Sequence, residues 1–392
     1  PEIVGGPSPE PGLRLGRWTA DDFWNALHHG RSRDGRLLAP AFPYEHTTRI
    51  RREDSDAIFS WLKTLPAARA PQPPHRLIWP LGTQPALAVW RALFFRPADF
   101  SVEPGRDAAW NRGAYLVESL GHCAACHAPR NRFGAIRDIG DLSGARMPVV
   151  GWYAPSLLDD RETGLASTPI AQTVQLLKTG IAPHASSSGP MAEVVQHGLQ
   201  HLDEPDLRAI AVYLQSRASA RAPATPPSVT RAPSASEPAR LRQAVAQPPA
   251  DLPVHELQQH TEAIASGAQA PASSNASTGH SGGAALYRRH CADCHGERGE
   301  GRTGRYPALR GNRAVLLDDP TNVVLSTLHG GYLPATTGNP VPLGMPPFLL
   351  QLDPAELATL ISWIRGDLQG DGRRAGRVSA LEVVQVRERS RW

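Results

Sequence analysis

Long apolar runs are missing from this sequence. No stretch of about 18 uninterrupted apolar residues occurs, which argues against a transmembrane helix. The nearest approach, LIWPLGTQPALAVWRALFF over 77–95, is broken by Pro80, Gly82 and Pro85 and carries Arg91, so it reads as a buried or docking segment. Charge of one sign is not in large excess either. A formal net charge of +4 requires neither a nucleic-acid groove nor a polybasic membrane patch. The sequence opens at Pro1 with no initiator methionine and no apolar targeting segment, so any signal peptide is expected to have been removed or left out. Sulfur is scarce: 392 residues hold four cysteines and three methionines. What is plentiful is proline and glycine, 38 and 35 residues, a composition of short helices joined by turn-rich loops. The length suggests two or three domains.

A repeat divides the chain. EDSDAIFSWLKTLP (53–66), DEPDLRAIAVYLQS (203–216) and DPAELATLISWIRG (353–366) share a helical pattern. Apolar residues recur at i, i+3, i+4 and i+7, as in Ile58, Trp61, Leu62 and Leu65, or Leu357, Leu360, Ile361 and Ile364. Each opens with acidic residues, and Pro354 sits in a first turn behind Asp353 as cap. A shorter helix ending near glycine precedes each one: WTADDFWNALHHG, STPIAQTVQLLKTG and DPTNVVLSTLHGG. The fold is therefore expected to be mainly α, built from tandem units with long loops. Residues 1–66 read as the back half of one unit, and 67–105 as a fixed apolar connection. Residues 106–216 and 283–370 read as two fuller units joined by an extended Ala/Pro/Ser linker over 217–282. Residues 371–392, with Arg373, Arg374, Arg387, Arg389 and Arg391, read as a solvated basic tail.

All four cysteines fall in two matching stretches, GHCAACHAPRN (121–131) and RHCADCHGERG. Cys-x-x-Cys-His is the attachment signature of c-type haem. On a helical turn, residues i, i+3 and i+4 share a face. Two thiols there can bond to the two vinyl groups of a porphyrin, with the histidine beneath the iron. Cys123, Cys126, Cys291 and Cys294 are thus the expected covalent haem c attachments, and His127 and His295 the proximal iron ligands. A four-thiolate zinc site would have to bring the pairs together and would leave the histidines unexplained. A thioredoxin-like pair would need a strand–helix context, and a disulfide within so short a loop would be strained. Among the methionines, Met345 in LGMPPF and Met191 in GPMAEV occupy matched points just before the last helix of their units, and are the expected sixth ligands. Met147 reads as packing. In the first unit the corresponding residue is Phe42, which cannot bind iron. Any haem there would need another ligand, with His46 nearest, or be five-coordinate or missing. His28, His29, His184, His197, His201 and His329 read as surface or capping residues.

The stretches DFWNALHHGRSRDGRLLAPAFPY, TQPALAVWRALFF, WNRGAYLVESLGHCAACHAPRN, GPMAEVVQHGLQHL and CADCHGERGEG with GMPPF give the chain its resemblance to a known family. It resembles the multihaem cytochrome c subunits of bacterial periplasmic dehydrogenases acting on alcohols, gluconate, sorbitol or glucose. It looks closest to those accompanying molybdenum-containing aldehyde or nicotinate-type hydroxylases. The resemblance implies class I cytochrome c domains, a periplasmic setting and a role in electron transfer rather than catalysis. It also implies a catalytic dehydrogenase partner carrying molybdopterin or FAD, a small iron–sulfur subunit in some complexes, and quinone or a respiratory cytochrome as acceptor. Relatives usually carry three haems, so a third, upstream of the two assigned here, would rest on residues outside this sequence. Many relatives also have a C-terminal membrane anchor. None is evident here, so any membrane association is expected to be peripheral. The loops 128–134 and 296–304 should border exposed porphyrin edges. A dihaem peroxidase is the rival reading, and two methionines at matched positions argue against the open iron it needs. A metal-binding scaffold without redox function is a third.

Overall fold

The computed structural model describes residues 15–66, 79–148, 150–221, 278–302, 305–370 and 372–390. Backbone proximity divides the chain into two units. One is Pro1–Ala222 with Gly282–Trp392. The other is Pro223–Ser281, of which only the last four residues are described. The linker expected over 217–282 therefore lies almost wholly outside the described residues. At its start, helix Glu204–Arg221 runs on past residue 217 and buries Ala218.

The fold is mainly α. Among the described residues, paired strands are confined to three short antiparallel pairs: Ala145–Arg146 with Tyr153–Ala154, Ile181–Ala182 with Ala185–Ser186, and Gly331–Tyr332 with Gly344–Met345. The expected helices form close to where the periodicity puts them. The shorter ones are Ala20–His29, Ile170–Thr179 and Thr321–His329, and the longer ones Arg52–Thr64, Glu204–Arg221 and Pro354–Arg365. Asp353 caps the last of these, taking the N–H groups of Ala355 and Glu356, while the Glu356 carboxylate takes the Asp353 N–H. That reciprocal box satisfies donors that a helix start otherwise leaves unpaired.

Three apolar clusters form the interior. The first gathers Trp18, Phe23, Leu27, Tyr44, Phe59 and Leu62, with Phe23 stacked on Phe59 at 5.3 Å. The second runs from Ala114 to Ala218, and the third from Tyr287 to Val386. The second and third are closed by the same device. Helix Ala108–Tyr115 meets Glu204–Arg221 at Gly113, where an added Cβ would stand 2.0 Å from the Ala209 carbonyl oxygen. In the third cluster, a Cβ added at Gly283 would stand 2.4 Å from the Cβ of Trp363 in the closing helix. Glycine is required at both points because the helices approach closer than any side chain allows.

Four expectations are corrected. In Arg52–Thr64 the buried stripe is Ser55, Phe59 and Leu62, spaced i, i+4, i+7, which turns Trp61 outward at 61% exposure. The segment around 84–94 is a helix that buries Leu87 but leaves Val89 and Leu93 exposed, so only part of its apolar residues serve the interior. Residues 378–390 are not a solvated tail. Ser379 caps a helix, Ala380–Arg389, whose Val383 and Val386 enter the third cluster while its arginines stay at the periphery. Finally, His28 is buried rather than at the surface, stacked on Trp24 at 4.6 Å with its Nδ1 unpartnered. Among the described residues, no helix is long and apolar enough to cross a membrane.

Candidate haem sites

Each Cys-x-x-Cys-His stretch folds into a single helical turn. The Cys126 and His127 N–H groups bond to the Cys123 carbonyl, and those of Cys294 and His295 to the Cys291 carbonyl. That hydrogen bonding holds two thiols and an imidazole on one face, as the spacing predicts. All four thiols are free. Burial pushes Cys123 and Cys291 up to about 12 and raises Cys126 as well. Neutral thiols in apolar surroundings are the opposite of the activated thiolate that a disulfide-exchange pair needs. The two pairs sit in different clusters, Cys123 with the second and Cys291 with the third. Among the described residues, no group of three or more His, Cys, Asp or Glu is placed to hold a metal ion. The zinc reading has no site there.

The two histidines are held in identical fashion. His127 Nδ1 lies 2.7 Å from the Pro155 carbonyl oxygen, and His295 Nδ1 lies 2.9 Å from that of Pro307. A carbonyl can only accept, so in both rings Nδ1 carries the hydrogen and Nε2 keeps the lone pair. Burial lowers the pKa of both imidazoles, which keeps them neutral. Such a bond behind the ring fixes its orientation and raises its basicity as a ligand. The turn is braced a second time. Arg130 donates to the Ala125 carbonyl at 2.8 Å and Arg302 to the Asp293 carbonyl at 2.9 Å, the equivalent residue between the cysteines.

Met191 packs in the cluster that holds Cys123, and Met345 in the cluster that holds Cys291. Their local settings differ: Met191 opens helix Pro190–His197, whereas Met345 is in a strand opposite Gly331. Met147 sits in the turn between strands Ala145–Arg146 and Tyr153–Ala154. Phe42 is half-buried against the first cluster. His46 is buried in that region, its ring 6.3 Å from His122 and its Nδ1 unpartnered. Burial, reinforced by the neighbouring His122, brings His46 down to about 4.

The prolyl carbonyls behind His127 and His295 escaped sequence reasoning, although a signal was present. Pro155-Ser156-Leu157 and Pro307-Ala308-Leu309 are a matched Pro-x-Leu pair downstream of the two cysteine turns. The bracing arginines were missed as well, since a loop arginine near a basic surface carries no periodic signature.

Paired free thiols, a neutral imidazole with an available Nε2 and a thioether in the same cluster fit covalent haem, and with it a c-type cytochrome. Residues 281–366 match the Cytochrome c family model. Over 389 residues the chain is 32% identical to the cytochrome c subunit of an alcohol dehydrogenase (quinone) from Gluconacetobacter polyoxogenes, covering 97% of this chain and 75% of that protein. It is likewise 32% identical over 380 residues to the fructose dehydrogenase cytochrome subunit of Gluconobacter japonicus, covering 95% and 72%. One of the subunits of the nicotinate dehydrogenase of Pseudomonas putida matches at 32% over 385 residues, 97% of this chain but 28% of that protein. The chain belongs to the cytochrome c subunits of dehydrogenase complexes, whose part in those complexes is electron transfer.

Proposed function

We propose that this subunit carries haem c at two sites. The first is built by Cys123, Cys126, His127 and Met191, and the second by Cys291, Cys294, His295 and Met345. Electrons enter from a partner dehydrogenase that oxidises a small organic substrate, and leave one at a time to quinone or a respiratory cytochrome. The haem supplies the redox chemistry, while the chain sets ligation, burial and spacing. The observation that carries this reading is the paired Nδ1 contact, His127 to Pro155 and His295 to Pro307, which leaves Nε2 free to ligate next to two free thiols in both places. His/Met ligation raises the reduction potential, as suits an acceptor of substrate electrons. The three apolar clusters support tandem units. Covalent haem assembly belongs outside the cytoplasm, which supports a periplasmic location.

A sugar or alcohol dehydrogenase partner has the support of relatives that this chain covers over most of their length. The molybdopterin partner rests on one named relative, of which the chain covers a small part. Purification from the native host, followed by haem quantification on a denaturing gel and identification of the co-eluting subunit, tests both levels. Covalent haem on both of these Cys-x-x-Cys-His stretches is expected, with reduction on adding the partner's substrate. Colourless protein with four titratable thiols would refute the haem sites.

A further inference from the structure

Trp152 belongs by sequence to the second unit, yet its side chain packs on the third cluster, the one that also receives Met345. The indole also faces Gly189. A Cβ added at Gly189 would stand 2.7 Å from three carbons of the ring, and this glycine (φ +53°) immediately precedes helix Pro190–His197, which carries Met191. One aromatic ring therefore touches both the loop that presents Met191 and the core that holds Met345. Its backbone is pinned on both sides. The Trp152 carbonyl accepts the Met147 N–H at 2.8 Å. Asn322, in helix Thr321–His329, clamps the next residue twice, accepting the Tyr153 N–H at 2.9 Å and donating to the Tyr153 carbonyl at 2.7 Å.

We propose that Trp152 is the bridge across which one electron passes between the two Cys-x-x-Cys-His sites, and that Asn322 is its positioning residue. This rests on the haem-carrying reading above. Ferrous iron at one site becomes ferric as ferric iron at the other becomes ferrous. The indole is neither oxidised nor deprotonated, and no bond forms or breaks. Packed π-bonded atoms couple donor and acceptor better than a gap of equal width, and Gly189 is glycine because any side chain there would displace the ring.

The test uses the full haem-loaded chain, reduced by a flash-generated small-molecule donor, with the later intramolecular redistribution followed optically. Trp152→Leu should slow that phase measurably, because the aromatic atoms that fill the path are lost. Trp152→Phe should retain most of the rate, and Asn322→Ala should slow it with the indole still present. Haem content and both potentials, read by spectroelectrochemical titration, should stay as in wild type, which a general packing defect would not allow. An unchanged rate in Trp152→Leu overturns the bridge, and an unchanged rate in Asn322→Ala overturns the clamp. Absence of covalent haem in the wild type would instead strike the underlying haem reading.

Discussion

Glu45 and His46 are neighbours with opposite acid–base behaviour. Burial holds Glu45 up at about 7 against an ordinary 4.5, while burial and His122 bring His46 down to about 4 against 6.5. As pH falls below 6.5, the unfolded chain protonates His46 and the folded chain does not until about 4, so His46 makes stability fall with acid. Glu45 does the reverse. The folded chain keeps its proton up to about 7, whereas the unfolded chain releases it near 4.5, so stability falls as pH rises through that window. Between 4.5 and 6.5 the two slopes oppose each other. Glu45→Gln should expose the histidine's contribution, a loss on the order of 3 kcal/mol between pH 6.5 and 4. His46→Phe should leave the opposite slope. Denaturant midpoints across pH 4 to 7 check both signs. A second expectation at this scale concerns the proposed iron ligands. Met345→His should lower the potential of one site and leave the other in place, and Met147→Leu should move neither, as read from a two-wave redox titration.

Helix positions were largely legible in the sequence, because period and caps are local properties. The Pro354–Arg365 helix shows this well: Leu357, Leu360, Ile361 and Ile364 are all buried, as their spacing predicts. Trp61 failed the same test because a stripe of Ser55, Phe59 and Leu62 competes with it on an adjacent face, and tertiary contact with Phe23 decides between them. The helix Ala380–Arg389 was hidden by its arginines, since net composition outweighed two buried valines. The cysteine turns were legible because the chemistry needs adjacent residues. Their prolyl carbonyl partners were harder to see, being backbone atoms 28 and 12 residues away. Close helix crossings are likewise invisible until the partner helix is known. Gly113→Ala and Gly283→Ala should each cost roughly 1–3 kcal/mol or more, since the obstacles are the Ala209 backbone and the Trp363 Cβ rather than flexible chain ends. Thermal unfolding of each variant checks this, and a wild-type midpoint for Gly113→Ala would refute the close crossing.

Across the whole molecule, the second and third clusters meet through the Trp152 side chain and through a set of polar contacts beside it. Arg146 and Asp319 approach to 2.6 Å, but both are partly exposed, and such pairs contribute only about 0–1 kcal/mol. Arg313 is different. Its backbone N–H bonds the His184 carbonyl at 2.9 Å, and its Nη1 donates to the Asp160 carbonyl at 2.9 Å. Its guanidinium fills the space beside Gly164, where an added Cβ would lie 2.0 Å away. Burial lowers the Arg313 pKa, a sign that the charge is held where solvent screens it poorly. Truncation there leaves both a void and an unpaired carbonyl, whereas loss of Arg146 leaves groups that water can satisfy. Arg313→Ala should therefore split a single calorimetric transition into two, with the cysteine-turn clusters melting separately, and Gly164→Val should do the same by expelling the guanidinium. Arg146→Ala should leave one transition with its midpoint nearly unmoved. If Arg313→Ala still melts as one unit, the two clusters are held together by something other than this polar seam, and their fixed spacing would need another cause.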